Sequence, residues 1–375
     1  MDGTSQRVSK HSIPSGLLGL AVLVVAIEAG LGRGGRYEND QAQHWRIKKQ
    51  VAGREAVTCD ILSFGDSLVE FAVLPKVIEE RSRLSTYNLA VPAGTPAGTY
   101  FMLKAAIDAG ARPRAVVVDF LPFQFVRMPF FENTRRRMWP EGANLRELFE
   151  FAWSRRDPDF AASMGLARSL KSLRSRDEIR RTIVELLDGK PFSLGDYRAF
   201  IIKWNLRNNR GSLVMPAGSR VADKVVNIVD IKSDKFDPVY VDYADRFIRL
   251  AAQHQIPVYC LLTPISPEHQ ASYDAAGAPE SHNAFLRAKQ AEFSNLIVVD
   301  GRHSGYDTSL FVDGIHLNRR GSTALSTDLA ALIERGPTPD RWSDLPRFRD
   351  RAVNDLVEDI GQSQIAIETP RSRRR

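Results

Sequence analysis

Short, mainly apolar runs alternate with amphipathic stretches along the chain from about residue 57 to residue 333. Five of these runs predict strands: they read DILSF, TYNLAV, RAVVVDF, IPVYCLLTPI and LIVVD in chain order. Runs of this kind are typical of parallel strands that are covered on both faces. Most of the stretches between them carry apolar residues at helical spacing. The order predicts an α/β domain with a five-stranded parallel sheet and helices on both faces.

The regular alternation stops after the third strand. From about residue 128 to residue 235 the chain is rich in arginine, and its apolar residues are spaced as in amphipathic helices. We therefore predict a mainly helical insertion at about 128–235. Because it leaves the third strand at its carboxyl end, the insertion is expected beside the edge of the sheet where ligands bind. The domain is predicted to span residues 56–335, followed by a polar C-terminal tail over residues 336–375.

An apolar segment, IPSGLLGLAVLVVAI, lies near the start of the sequence, at residues 13–27. Extended to Gly32, about twenty residues at 1.5 Å each are just long enough to cross a bilayer. Glu28 interrupts the small-residue cleavage site of a secretory signal, which favours a retained anchor over a cleaved segment. We expect a membrane anchor within residues 1–32, then a linker over 33–55. The body is expected outside the cytoplasm, although basic residues after the segment oppose that orientation.

The distribution of charge narrows the range of possible partners, and the two cysteines are expected to be structural. The net charge of +7 comes largely from arginines between residues 127 and 220 and from the terminal RSRRR. These arginines do not show the basic and aromatic interleaving that single-strand binders use, so nucleic acid is not an expected partner. An acidic glycan, an anionic membrane surface or a merely solvated face remain open. Cys59 and Cys260 lie beside or within apolar runs, and we expect both to be buried free thiols.

Two short motifs carry candidate chemistry. Gly65-Asp66-Ser67 directly follows the first strand, and Asp313 stands three residues before His316, ahead of the last helix. Both motifs are expected at the carboxyl edge of the sheet. A serine hydroxyl needs a neutral imidazole to take its proton, and the imidazole needs an acceptor that holds its tautomer. We therefore predict Ser67 as nucleophile, His316 as base and Asp313 as the orienting acid, although Asp66 also suits a plain helix N-cap.

These motifs resemble those of the SGNH, or GDSL-like, hydrolase superfamily, over about residues 57–333 apart from the insertion. The resemblance implies a flavodoxin-like three-layer α/β/α fold. It also implies a serine esterase or an O-acyltransferase, which acts on a carbohydrate ester through an acyl-serine intermediate. The chain is similar in particular to membrane-bound, extracytoplasmic relatives of the alginate O-acetyltransferase type. No cofactor is expected, and no metal either, because no histidines stand at metal-ligand spacing.

The resemblance further implies an oxyanion hole that includes the Ser67 backbone and a glycine after the second strand. NLAVPAGTPAG offers Ala93 and Gly94 there, and we favour Gly94. The asparagine expected at the end of the third strand is missing, and Gln124 is the nearest substitute. Losing one such donor costs about 2.7–4 kcal/mol of transition-state stabilisation. The alternative is therefore a catalytically inactive binding or scaffolding protein of this fold at the cell envelope.

Overall fold

The computed structural model describes residues 15–32, 40–129, 132, 139, 142–189, 196–218, 231–351 and 356–368. Six strands form one sheet in the order β2-β1-β3-β4-β5-β6, and every pair is parallel. The strands are β1 (Ile61–Phe64), β2 (Thr86–Asn88), β3 (Ala115–Val118), β4 (Val258–Leu262), β5 (Leu296–Asp300) and β6 (Trp342–Asp344). The first five strands have the flavodoxin-like order 2-1-3-4-5. The predicted α/β fold with a parallel sheet is confirmed.

Helices occupy most of the remaining described chain. The α-helices are α1 (Ser15–Gly32), α2 (Asp40–Ala52), α3 (Ser67–Ala72), α4 (Pro75–Ser82), α5 (Pro96–Asp108), α6 (Leu145–Arg155), α7 (Pro158–Ser169), α8 (Lys171–Arg174), α9 (Arg176–Leu187), α10 (Asp196–Asn208), α11 (Pro238–Gln253), α12 (Pro267–Ala275), α13 (Ala278–Glu292), α14 (Arg319–Arg335) and α15 (Ile360–Glu368). Short 3-10 helices span Glu55–Thr58, Pro122–Phe125, Ser233–Lys235 and Thr308–Leu310.

The alternating side chains of the strands form two apolar cores, one on each face of the sheet. Leu62 and Val116 belong to the core that α5 and α11 cover. Val117 lies in the opposite core, which α4 and α14 cover. Because both faces are covered, the strands are almost wholly apolar. Cys59 and Cys260 are buried free thiols, as predicted.

The sheet has six strands rather than the predicted five. The additional strand, β6, comes from the segment predicted as a polar tail and pairs only with β5. It has just three residues, WSD, and lies at an edge, where no apolar run is needed. The same segment also contains α15, which packs against α10, and Ser363 Oγ accepts a hydrogen bond of 2.9 Å from Asn205 Nδ2. Much of the predicted tail is therefore part of the folded domain.

The predicted linker over residues 33–55 contains a core helix, α2, in which Trp45 is 1% exposed and Lys48 is fully buried. Glu70 Oε1 accepts a hydrogen bond from Lys48 Nζ at 2.8 Å and also lies 2.7 Å from His44 Nδ1. Burial lowers the pKa of Lys48, and the Glu70 carboxylate partly offsets that effect. The sequence predicted a linker because this segment is rich in charged and polar residues. The prediction failed because these charged side chains pair with Glu70 inside the protein. Residues 33–39 lie outside the described residues.

The predicted insertion is helical over α6 to α10, and its last part reaches the carboxyl edge of the sheet. The Leu213 N–H donates to the Glu70 carbonyl at 3.2 Å, and Ser212 Oγ donates to the Val73 carbonyl at 2.5 Å. Gly211 has a φ of +95°, and a Cβ there would lie 2.0 Å from the Asn88 carbonyl oxygen. Residues 211–213 of the insertion therefore lie against α3, the helix that begins at Ser67, and against the residue that follows it.

The helix α1 consists mainly of apolar residues, and its large apolar side chains are 41% to 67% exposed. Within the part of the chain that the structure describes, no helix is long and apolar enough to cross a membrane. The first two residues of the apolar segment that predicts an anchor, Ile13 and Pro14, lie outside that part.

Candidate active site

Ser67 occupies a sharp turn between β1 and α3. Gly65 has a φ of +133°, and a Cβ there would lie only 1.9 Å from Asp119 Oδ1, so the turn requires glycine. Asp66 caps the helix, since its Oδ1 accepts the Leu68 N–H at 2.7 Å. As the first residue of α3, Ser67 has its N–H at a helix N-terminus, where backbone N–H groups lack intrahelical partners. Its side chain is half-buried at the carboxyl edge of the sheet.

The predicted acid and base lie in a closed loop that precedes α14. Phe311 and Leu317 pair as an antiparallel bridge, and the Val312 N–H donates to the His316 carbonyl at 2.8 Å. Inside the loop, Asp313 Oδ1 accepts two backbone N–H groups, from Ile315 at 2.9 Å and from His316 at 2.8 Å. The aspartate therefore fixes the shape of the loop through one of its oxygens.

The structure brings Ser67, His316 and Asp313 into one hydrogen-bonded chain. His316 Nε2 lies 2.8 Å from Ser67 Oγ, and His316 Nδ1 lies 2.7 Å from Asp313 Oδ2. Burial favours a raised pKa for Asp313, but the hydrogen bonds and charge of His316, with the two backbone N–H groups, lower it to about 2. An ionised carboxylate can only accept, so Nδ1 carries the proton and Nε2 accepts from the serine hydroxyl. This is the tautomer that a general base at His316 requires.

Contacts between α3 and α14 set the distance between serine and histidine. Ser322 Oγ donates to the Phe71 carbonyl at 2.8 Å, and Ser326 Oγ donates to the Ala72 carbonyl at 3.1 Å. The ring of Phe71 lies 4.7 Å from the ring of His316, centroid to centroid. The first turn of α14 directly follows the loop that holds His316, so these bonds fix the imidazole relative to Ser67.

The structure gives no support to the predicted oxyanion role of Gly94. Its N–H donates to the Val91 carbonyl at 3.0 Å and is therefore occupied. Glycine is needed there for a different reason, because a Cβ would lie 2.3 Å from the Gly65 carbonyl oxygen. The preceding residue, Ala93, has a φ of +51°, and its N–H has no hydrogen bond within the described chain. Ala93 and Ser67 thus supply the candidate backbone donors.

Gln124 is 1% exposed, and its Nε2 has no hydrogen-bond partner in the described chain. It forms no hydrogen bond to Ser67 or His316, so the structure gives no support to its predicted role as an oxyanion donor. The residue that replaces the expected asparagine at the end of β3 is Asp119, which sequence reasoning assigned no function. The sequence offers one signal for a role of Asp119, because a carboxyl residue directly follows an apolar strand at the same edge of the sheet as the serine turn.

Asp119 is 1% exposed and supports the serine turn. Its Oδ1 accepts the Asp66 N–H at 3.2 Å. Burial raises the pKa of Asp119 well above its usual range, and the nearby carboxylate of Asp66 raises it further. We interpret Asp119 as a positioning residue that holds the backbone of Gly65 and Asp66 where Ser67 begins its helix.

Comparison with protein-family models and with curated proteins finds no match to this chain. Among the described residues, no group of three or more His, Cys, Asp or Glu side chains is arranged to hold a metal ion. The functional argument therefore rests on the geometry of the site.

Proposed function

We propose that the protein is a serine esterase or O-acyltransferase of the SGNH type. The observation that carries this proposal is the hydrogen-bonded chain from Ser67 through His316 to Asp313, with distances of 2.8 Å and 2.7 Å. The serine begins a helix at the carboxyl edge of a parallel sheet, and the three triad residues are only partly buried. A buried structural histidine does not need this arrangement, in which a tautomer-fixing carboxylate and a hydroxyl occupy opposite ring nitrogens.

The proposed reaction has two displacements. Ser67 Oγ attacks the ester carbonyl carbon while His316 Nε2 takes the hydroxyl proton, and the carbonyl oxygen becomes an oxyanion. The backbone N–H groups of Ser67 and Ala93 are our candidates for binding that oxyanion. The protonated His316 then gives its proton to the departing alcohol, which leaves an acyl-Ser67 ester. A water molecule or a sugar hydroxyl attacks this ester, His316 takes the attacker's proton, and the proton returns to Ser67 as the new product leaves.

We propose a carbohydrate ester as the substrate and the cell envelope as the place of action. The resemblance to extracytoplasmic O-acetyltransferases and the apolar segment at residues 13–32 support this assignment. The exposed apolar side chains of α1 support a membrane-embedded role for that segment. Hydrolysis and transfer differ only in whether water or a sugar hydroxyl attacks the acyl-serine.

Labelling by a fluorophosphonate probe tests the proposal, because such probes react with activated serines. The wild-type protein should label at Ser67 and should release p-nitrophenol from p-nitrophenyl acetate. Ser67→Ala and His316→Ala should each abolish both signals, since the pair acts as a unit. His303→Ala is the matched control, because His303 is an exposed histidine outside the triad, with 65% of its side chain accessible.

The second candidate is a binding or scaffolding protein that keeps the fold without useful catalysis. The observation that favours it is Asp119, a buried carboxyl where the resemblance implies an asparagine N–H donor. A folded wild-type protein that shows neither labelling of Ser67 nor turnover of small acyl esters would favour this candidate over the enzyme.

A further inference from the structure

A pocket opens beside Ser67 along the carboxyl edge of the sheet. It is partly open to solvent, and its lining residues follow β1, β3, β4 and β5. Leu68, the neighbour of Ser67, forms one wall, and His269 forms another. His269 packs against the loop of the triad, since a Cβ at Gly314 would lie 2.0 Å from its Cε1. The pocket therefore adjoins both the helix that carries Ser67 and the loop that carries Asp313 and His316.

Most of the lining is apolar, but its most buried part carries polar side chains. His282, Thr263 and Arg302 all line the pocket and are 1%, 3% and 8% exposed. Each carries a buried polar atom without a hydrogen bond in the described chain, namely Nδ1, Oγ1 and Nη1 respectively. Leaving one such group unsatisfied costs about 1–3 kcal/mol, so native proteins pair them with protein, water or ligand. Three of them in one pocket point to a ligand with a polar group.

The hydrogen-bonding character of this end of the pocket follows from its contacts. His282 Nε2 lies 2.8 Å from the Phe120 carbonyl, which can only accept, so Nε2 carries the proton. Burial and then the charge of Arg302 lower the pKa of His282 to about 3, which leaves the imidazole neutral and Nδ1 an acceptor. Arg302 is paired with Asp300, at 2.5 Å between Nη2 and Oδ2. The pocket therefore offers an acceptor, a donor and the Thr263 hydroxyl, with the arginine charge already balanced.

We propose that this pocket binds the acyl part of the substrate and selects a short acyl chain that carries a hydroxyl group. The proposal rests on the esterase or acyltransferase function proposed above. A hydroxyl can both donate and accept, so it can donate to His282 Nδ1 and accept from Arg302 Nη1 or from the Thr263 hydroxyl. A carboxylate would face the imidazole lone pair and would compete with Asp300 for the arginine. A plain alkyl chain would leave the three polar atoms desolvated, and sites of this kind reject such analogues strongly.

Acyl selectivity tests the proposal. The measurement compares kcat/KM for p-nitrophenyl esters of butyrate, 3-hydroxybutyrate and succinate. The hydroxylated ester should exceed butyrate by roughly 10-fold, and succinate should be the poorest of the three. Thr263→Val, which removes the hydroxyl at similar shape, should bring the ratio of 3-hydroxybutyrate to butyrate closer to one. The matched control Thr86→Val changes a buried threonine whose Oγ1 donates to the Leu84 carbonyl, and it should keep the wild-type ratio.

Binding to the Ser67→Ala variant separates failure of the pocket from failure of the enzyme. Methyl 3-hydroxybutyrate should bind more tightly than methyl butyrate in a titration followed by NMR, and adding Thr263→Val should reduce that difference. Turnover without any preference for the hydroxylated ester would overturn the pocket assignment alone. Selective binding without turnover or labelling by any ester would support the pocket and overturn the catalytic function.

Discussion

Asp313 uses both carboxylate oxygens within the loop that holds His316. Oδ1 accepts two backbone N–H groups, and Oδ2 lies 2.7 Å from His316 Nδ1. An amide at this position retains an oxygen for the backbone but presents an N–H to the imidazole. The loop can therefore keep its shape while the histidine loses the acceptor that fixes its tautomer.

We predict that Asp313→Asn lowers kcat by about 10³–10⁴-fold through the wrong tautomer of His316. Initial rates with p-nitrophenyl acetate measure the effect, and the melting temperature shows whether the loop remains folded. Asp307→Asn is the matched control, because Asp307 Oδ1 also closes a local turn, onto the Ser309 N–H at 2.8 Å. Near-wild-type activity in Asp313→Asn would contradict the proposed role of the aspartate.

The protonation of Asp119 makes the stability of the folded protein depend on pH. Its pKa is raised in the folded protein by burial and then by the Asp66 carboxylate. Folding therefore favours the protonated form, whose stabilising effect is complete below the unfolded pKa of about 3.9. That contribution is lost as the pH rises through the raised folded pKa.

Asp119→Asn should be more stable than the wild type at pH 8, because an amide cannot ionise and still offers an oxygen to the Asp66 N–H. Each kcal/mol gained should raise the melting temperature by about 2–4 °C, and the difference should shrink towards pH 4. Melting curves over this pH range measure it, with the exposed Asp344→Asn as control. Parallel curves for wild type and Asp119→Asn at all pH values would refute the coupling.

The three triad residues were identifiable from the sequence because serine chemistry restricts which residue types can act and where they stand in the fold. Asp119 was not, and the sequence left both Ala93 and Gly94 open as oxyanion donors, because these assignments depend on contacts that no motif encodes. The Gly94 N–H donates to the Val91 carbonyl and is therefore not available to an oxyanion. This bond depends on how the loop folds over Gly65. The raised pKa of Asp119 likewise depends on its burial, which the sequence does not show directly.

At the scale of elements, α14 is the support on which the site depends. Ser326 Oγ accepts the Leu74 N–H at 2.8 Å and also donates to the Ala72 carbonyl. Leu74 is 1% exposed, so its N–H has no ready access to water if that acceptor is removed. The packing of α14 against α3 and α4 therefore includes one polar contact that is costly to lose.

Ser326→Ala should lower the free energy of unfolding by about 1–3 kcal/mol, the cost of an unsatisfied buried donor. This corresponds to a fall in melting temperature of roughly 2–12 °C. Thr327→Ala is the control on the same helix, since Thr327 Oγ1 bonds only within the helix, to the Thr323 carbonyl at 2.8 Å. An unchanged melting temperature in Ser326→Ala would show that the contact does not support the packing.

Strands β1 to β5 were predictable because burial on both faces requires apolar runs. Two of the elements that the sequence did not reveal, β6 and α2, were missed for opposite physical reasons. The strand β6 is short and lies at an edge, so its sequence carries no apolar pattern. The helix α2 looks polar, yet Lys48 and His44 are buried through their contacts with Glu70, which lies on α3. Pairing across distant segments is not visible in local sequence.

The whole molecule combines a folded α/β domain with an apolar N-terminal segment, which we propose to anchor it in a membrane. Alkaline phosphatase is active only outside the cytoplasm, so a fusion after Arg54 should be active. Replacing Leu20 and Leu23 by arginine should abolish that activity, at about 2.5–3.5 kcal/mol of insertion cost for each arginine near the centre of a span. Gln6→Arg adds the same charge outside the apolar run and serves as control. An inactive phosphatase with a fluorescent cytoplasmic reporter at the same site would contradict the proposed location.

We expect Ser67 to form an acyl intermediate with the help of His316. The most direct measurement is the mass of the protein quenched with acid milliseconds after mixing with p-nitrophenyl acetate, followed by peptide mapping. The wild type should gain one acetyl group, located on Ser67, before steady-state turnover begins, and Asp313→Asn should gain it more slowly. Ser67→Ala and His316→Ala should gain none. An acetyl group on another residue, or turnover by Ser67→Ala at the wild-type rate, would contradict the account.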